Sequence, residues 1–256
     1  MPMEDFEPKI MSFICNWSNY VNIDLENEGI DPYSDEIKLV NVTCSCLVDP
    51  AFILESFRGG SDGVIILGCH LNNCRYDCDS YQEDNKWLML QRLLEIVGFD
   101  SRLILDWESD SEGIRLKRVI KDFKNYIYEL GPSPFNYENN AEITAKFDAV
   151  GRVVNDPRIR EIIGREKIIT SQNNVMEKTV DKQYYENLLR GTVEDEYYYQ
   201  RMLLILNEEA KSIKGIADIL NLSTSKILKY LEKMKNDGLI DIEVVDEITP
   251  LSQIFV

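Results

Sequence analysis

A chain of 256 residues can bury a substantial core and exceeds the usual size of one domain, so a domain with a smaller companion is expected. Its 45 acidic residues against 28 basic ones leave a formal charge of −17, which repels polyphosphate backbones and anionic membrane surfaces and makes nucleic acid a poor partner. No apolar run approaches the roughly 20 residues that cross a bilayer, and Met1 to Lys9 lacks the basic start and apolar stretch of a signal peptide, so a cytoplasmic chain without a membrane partner is expected.

The first half alternates β-prone runs with amphipathic segments, the pattern of a parallel sheet flanked by helices. Strands are predicted at Lys9 to Cys15, Glu36 to Thr43, Gly63 to Cys69 and Arg102 to Trp107. Asp49-Pro50 opens a helix that runs to about Phe57 and stops at Gly59-Gly60. Trp87, Leu88, Leu90, Leu94 and Val97 mark a second, ending at Gly98. The third spans Ser109 to Leu130, with Ile114, Leu116, Val119, Ile120, Phe123 and Ile127 as its buried side. These four strand–helix units make a cysteine-rich, flavodoxin-like doubly wound α/β domain over residues 1–131, closed by Gly131-Pro132-Ser133-Pro134, which cannot continue a helix.

Residues 132–196 read as a helical connector, with helices at Ala141 to Val154 and Pro157 to Arg165 and a polar, loop-like stretch from Ile168 to Asp181. Residues 197–256 have the outline of a winged-helix-like domain: helices at Tyr198 to Asn207, Ser212 to Leu220 and Ser223 to Asn236, a turn at Asp237-Gly238, and the β-prone Leu239 to Val245. The third of these helices carries Lys226, Lys229, Lys233 and Lys235. From Tyr198 onward, however, seven basic residues face nine acidic ones, whereas a DNA reader usually has a basic excess, so protein contact or scaffolding is the favoured role.

All six cysteines fall within the first 78 residues, which in a reducing compartment suggests metal ligation more than disulfides. Cys15 ends the first strand, Cys44 follows the second and Cys69 ends the third. In a parallel sheet these ends share one edge, where ligand sites of open α/β folds form. Cys74 and Cys78 lie in the loop after the third strand, and Cys46 two residues past Cys44. Four thiolates on a rigid edge suit a tetrahedral zinc or an iron–sulfur cluster, and spacing alone does not choose, although the CxxC knuckles of structural zinc are missing. The plain alternative is a set of ordinary buried cysteines. Dithiol chemistry at Cys44-Ser45-Cys46 would require a strained pairing. Gly68, Asn72 and Asn73 can bring backbone N–H groups to the sulfurs, and His70, the single histidine, is expected to donate a hydrogen bond to the site rather than to ligate. Trp17, Tyr20, Tyr76 and Tyr81 beside the cysteines are candidates for water exclusion, docking or core packing, with Trp107, Glu108 and Glu112 as another part of the rim. Walker-type, GxGxxG and metalloprotease motifs are missing from the sequence.

Phe13-Ile14-Cys15-Asn16-Trp17, Val42-Thr43-Cys44-Ser45 leading to Val48-Asp49-Pro50, Asp62-Gly63-Val64 through Leu67-Gly68-Cys69-His70 to Cys74, and Ser111-Glu112-Gly113 resemble the delta subunit of methyl-viologen-reducing [NiFe] hydrogenase. The resemblance covers about Lys9 to Leu130. It implies a [2Fe-2S] electron-transfer subunit that relays electrons between a hydrogenase or formate dehydrogenase and a heterodisulfide reductase A-like flavoprotein, with no substrate chemistry of its own. It assigns Cys15, Cys44, Cys69 and Cys74 as ligands, with Cys46 and Cys78 as possible substitutes. The chain departs from the family pattern at Ser18, where a second cysteine is usual, and at Cys46, where a glycine is usual. Two other readings are a metal- or redox-responsive winged-helix DNA-binding regulator and a zinc-stabilised assembly scaffold.

Overall fold

The computed structural model describes residues 6–18, 36–69, 74, 80–107, 114–137, 140–171, 179–244 and 250–254. Four parallel strands, β1 (Ile10–Cys15), β2 (Ile37–Val42), β3 (Gly63–Gly68) and β4 (Leu103–Trp107), pair in the order β2-β1-β3-β4. Each lies within a residue or two of its predicted bounds. Successive side chains alternate between the two faces. Ile10, Ile14, Ile65 and Leu67 meet Ile120, Phe123 and Ile127 of α3 (Ile114–Leu130) on one face, while Phe13, Val64 and Ile66 meet α1 (Pro50–Arg58) and α2 (Ser80–Val97) on the other. Helices thus cover both faces of an α/β sheet.

Local chemistry sets the helix ends. Asp49 caps α1 by accepting from Ala51 N at 2.9 Å, with Pro50 at the first helical position. Gly60, at φ +93°, adopts the left-handed turn that stops it. The predicted start of α3 at Ser109 falls on residues 108–113, outside the described set.

At the amino-terminal edge of the sheet, Asp62 gathers Lys9 N at 2.9 Å, Ser133 N at 2.6 Å and Asn136 Nδ2 at 2.9 Å. Buried Arg102 donates to Asp62 O, Gly131 O and Pro132 O at 2.9–3.1 Å. The proline-rich segment is therefore tied to the sheet it follows.

Beyond it run α4 (Ala141–Val154), α5 (Pro157–Gly164), α6 (Glu166–Ser171) and α7 (Lys182–Glu208). Phe147 of α4 is fully buried, and its ring meets those of Phe57, Phe99 and Phe135 edge-on at centroid distances of 6.1, 4.8 and 4.8 Å. One continuous core joins the α1/α2 face of the sheet to Tyr185, Leu189, Val193 and Tyr197 of α7.

Two expectations are corrected here. Part of the stretch read as a loop, Ile168 to Ser171, is helical: Ile169 turns into the core, and Thr170 Oγ1 and Ser171 Oγ donate to the carbonyls four residues back. The helix predicted from Tyr198 begins sixteen residues earlier, at Lys182, capped by Asp181. Its apolar stripe at every fourth residue is hidden in the sequence by intervening charges and Gly191.

α7 continues into α8 (Ile213–Leu220) and α9 (Thr224–Asn236), followed by a small antiparallel sheet of β5 (Lys211–Ser212), β6 (Ile240–Val244) and β7 (Pro250–Ile254) in the order β5-β7-β6. Met202, Leu206, Ile216, Ile227, Leu231 and Met234 form its core. Three helices and a three-stranded sheet give the winged-helix-like outline. Among the described residues no helix is long and apolar enough to cross a membrane.

Candidate metal centre

The parallel sheet delivers its cysteines to one edge. Cys15 is the last residue of β1, Cys44 lies two residues past β2, and Cys69 follows β3; all three are buried. Cys74, half-buried, reaches back to them, with its Sγ 3.9 Å from that of Cys44. Cys15 and Cys74 both lie beside Cys69. All four are thiols rather than disulfides.

The Sγ atoms of Cys44, Cys46 and Cys74 lie within 4.8 Å of one another, which puts Cys46 at the same site, but Cys46 is disulfide-bonded. Cys44 is a thiol, so the strained Cys44–Cys46 pairing does not form. Cys78 lies outside the described residues, as do His70, Asn72, Asn73, Tyr20, Tyr76, Glu108 and Glu112, and the side chain of Tyr81.

Burial pushes the Cys69 thiol up to about 12, with Cys15 and Cys74 beside it adding to the rise. Burial likewise raises Cys44 to about 12, against a backbone hydrogen bond from Cys46 and with Cys74 and Cys15 contributing. Sulfurs packed this closely ionise readily only when a cation shares the site, since a coordinated thiol is deprotonated outright. The donor set is entirely soft, the chemistry that selects zinc or iron–sulfur clusters.

Residues that no sequence pattern marked hold the edge in shape. Lys86 of α2 donates to the carbonyls of Cys46 at 2.8 Å and Val48 at 3.0 Å, fixing the turn after β2, and its ammonium lies 4.4 Å from the Trp87 ring centroid. Arg160 of α5 pairs with Asp49 at 2.8 Å, so the helices beyond residue 140 brace the same turn. Burial raises the Asp49 carboxyl, but its bonds to Arg160 and Ala51 N–H outweigh that and hold it below the usual range. Ser18 is buried and donates to Cys15 O at 2.7 Å, closing the turn after β1. Trp17 and Leu47 project into solvent beside the cysteines, 43 % and 68 % exposed. Trp107 is half-buried and lies across Gly68.

Fold and site together define a thiol-rich parallel α/β domain carrying a winged-helix-like extension. Residues 10–131 match the family described as methyl-viologen-reducing hydrogenase, delta subunit. The chain is 36% identical over 141 residues to the iron–sulfur D component of the F420-non-reducing hydrogenase vhc of Methanococcus voltae, covering 55% of this chain and 97% of that protein. It is 38% identical over 133 residues to the iron–sulfur D component of the F420-non-reducing hydrogenase of Archaeoglobus profundus, covering 52% and 97%. This chain belongs to the methyl-viologen-reducing hydrogenase delta subunit family. A further similarity, 33% over 126 residues, is to the A component of the ferredoxin/F(420)H(2)-dependent CoB-CoM heterodisulfide reductase of Methanosarcina acetivorans, where it spans 49% of this chain and 16% of that protein. Residues 201–241 separately match the bacterial regulatory protein, arsR family.

Proposed function

We propose that this chain is a [2Fe-2S] electron-transfer subunit, with Cys15, Cys44, Cys69 and Cys74 as ligands. It relays electrons between a hydrogenase or formate dehydrogenase and a flavin-containing protein of the heterodisulfide reductase A type. The observation that carries this reading is the gathering of four thiols at one sheet edge, in a chain whose relatives are named iron–sulfur subunits and whose α/β domain has a counterpart within the A component of a heterodisulfide reductase. A bound cluster would supply one-electron oxidation and reduction without bond-making chemistry.

The chain's own residues do the rest. The strand ends hold Cys15, Cys44 and Cys69 away from water, half-buried Cys74 leaves one approach, and exposed Trp17 and Leu47 offer an apolar rim for a partner. Lys86 places a positive charge beside the turn, favouring the more negative, reduced state of the site. The strand order is that of the first four strands of a flavodoxin-like sheet, which supports the doubly wound reading. As functional units we keep 1–131 for the cluster, 132–196 as a brace and 197–256 for docking.

The test is anaerobic mixing of the dithionite-reduced, desalted chain with a heterodisulfide reductase A-type flavoprotein. Flavin bleaching that requires the intact cysteine set is expected. An unchanged flavin spectrum would overturn the relay.

The arsR-family match favours a second reading, a metal-responsive DNA-binding regulator. Against it, Lys226 of α9 pairs with Glu194 at 3.3 Å and with Asp195 at 3.9 Å, Lys233 lies over the Tyr199 ring, and Leu228 and Glu232 occupy the exposed side of the helix. Salt-dependent binding to duplex DNA would move the assignment to the regulator.

A further inference from the structure

The register of the sheet places three residues in a row across three strands. Ile14 pairs with Leu67, which brings Cys15 beside Gly68, and Gly68 pairs with Trp107. Alternate residues of a strand share a face. Phe13, Ile66 and Leu105, two positions back on each strand, belong to the core on the α1/α2 face. Cys15, Gly68 and Trp107 therefore present to that same face.

Gly68 has no side chain, and the space is taken. A Cβ built there would lie 2.0 and 2.2 Å from Cε3 and Cζ3 of Trp107 and 3.0 Å from Ser45 Oγ. The six-membered ring of the indole thus reaches across β3 from β4 into the space above Gly68, which is also bordered by Ser45 Oγ, from the residue between Cys44 and Cys46. Cys15 lies beside Gly68 on the neighbouring strand, and Cys69 directly follows Gly68 in the chain.

We propose that Trp107 is the positioning residue that walls the cysteine site on its β4 side, and that Gly68 is required because any side chain there would displace the indole. This deepens the iron–sulfur reading and rests on it. The physical consequence concerns water. A reduced cluster carries one more negative charge than an oxidised one, water stabilises that charge, and an apolar wall withholds it. Removing the indole is expected to raise the reduction potential and to open the irons to chelators.

The experiment uses the full chain purified anaerobically, as wild type, Trp107→Phe and Trp107→Ala. Iron and acid-labile sulfide in the wild type are measured first; a wild type holding neither sinks the iron–sulfur reading itself and is distinguishable from failure of the wall. With loaded protein, iron release to a chelator is followed together with the midpoint potential. The wall requires release about tenfold faster in Trp107→Ala, an intermediate rate in Trp107→Phe, whose single ring is shorter, and a more positive midpoint in both. Wild-type release rate and potential in loaded Trp107→Ala would overturn it. Should the alanine variant not fold, Trp107→Phe decides alone, a wild-type rate and potential overturning the wall. Gly68→Ala is a separate check. It is expected to share the fast release, and retained wild-type kinetics there would refute the crowding on which the inference stands.

Discussion

The two ends of the parallel sheet are built on opposite chemistry. At the amino-terminal edge, one carboxylate and one guanidinium satisfy the backbone of three separated segments: Asp62 takes Lys9 N, Ser133 N and Asn136 Nδ2, while Arg102 donates to Asp62, Gly131 and Pro132 carbonyls. At the carboxyl edge, thiols face thiols. Each bond at the first end contributes to holding the chain closed, since breaking one leaves a buried polar group without its partner. The second end contributes little to folding by itself, because thiol–thiol contacts are weak and burial works against ionising them. The sheet is thus fastened at one end and left available for coordination at the other.

The largest expected effect separates the two ends. Cys69→Ser is expected to abolish metal loading while leaving the apo chain's thermal midpoint close to wild type, read by metal analysis and calorimetry on the same preparation; full loading would show that Cys69 is not a ligand. Asp62→Ala should do the converse, costing on the order of 3 kcal/mol in urea unfolding because Ser133 N–H and Arg102 lose a buried acceptor and counter-charge, with metal stoichiometry retained. Loss of metal together with stability would erase the distinction between the ends.

Lys86→Met sharpens the boundary of the metal end. Its length is preserved but the turn carbonyls of Cys46 and Val48 lose their donor, so a tenfold to hundredfold weaker hold on metal is expected in a competition titration, with a small change in stability. The smallest effect lies away from both ends. Asp156 caps α5, accepting from Arg158 N and Ile159 N, and its hydrogen bond with the Arg158 side chain holds its carboxyl below the ordinary value. A depressed carboxyl stabilises above its unfolded pKa and loses that contribution as pH falls through the folded one. Asp156→Asn should therefore cost about 1 kcal/mol at neutral pH and nothing in acid. An equal cost at both would show that the cap acts without its charge.

Much of the metal end was legible because its logic is local. Strand ends announce themselves by β-prone runs, a parallel sheet sends those ends to one edge, and cysteines at such ends converge without further information; Cys15, Cys44 and Cys69 follow that route. Cys74 shares the stretch after β3 with Cys78, and only the family motif singles it out as a ligand. The other residues were hidden for a common reason. Lys86, Arg160 and Arg102 act over separations of 38, 111 and 40 residues or so, and an exposed-looking cation in a helix carries no mark of the carbonyl or carboxylate it will find. α7 is only half legible because its Tyr185, Leu189, Val193 and Tyr197 stripe is interrupted by charged residues, of which Glu196 is itself buried and Glu194 pairs with Arg92 of α2 and Lys226 of α9. Its buried partner, Phe147, is an ordinary phenylalanine until α4 is laid against α1 and α2.

The proposed relay requires two irons at the carboxyl edge. Iron, zinc and acid-labile sulfide should be quantified on anaerobically purified full-length chain, with low-temperature electron paramagnetic resonance after dithionite reduction. About two irons and two sulfides per chain with a reduced-cluster signal are expected. One zinc per chain, no sulfide and no signal would overturn the iron–sulfur assignment and leave a structural thiolate site.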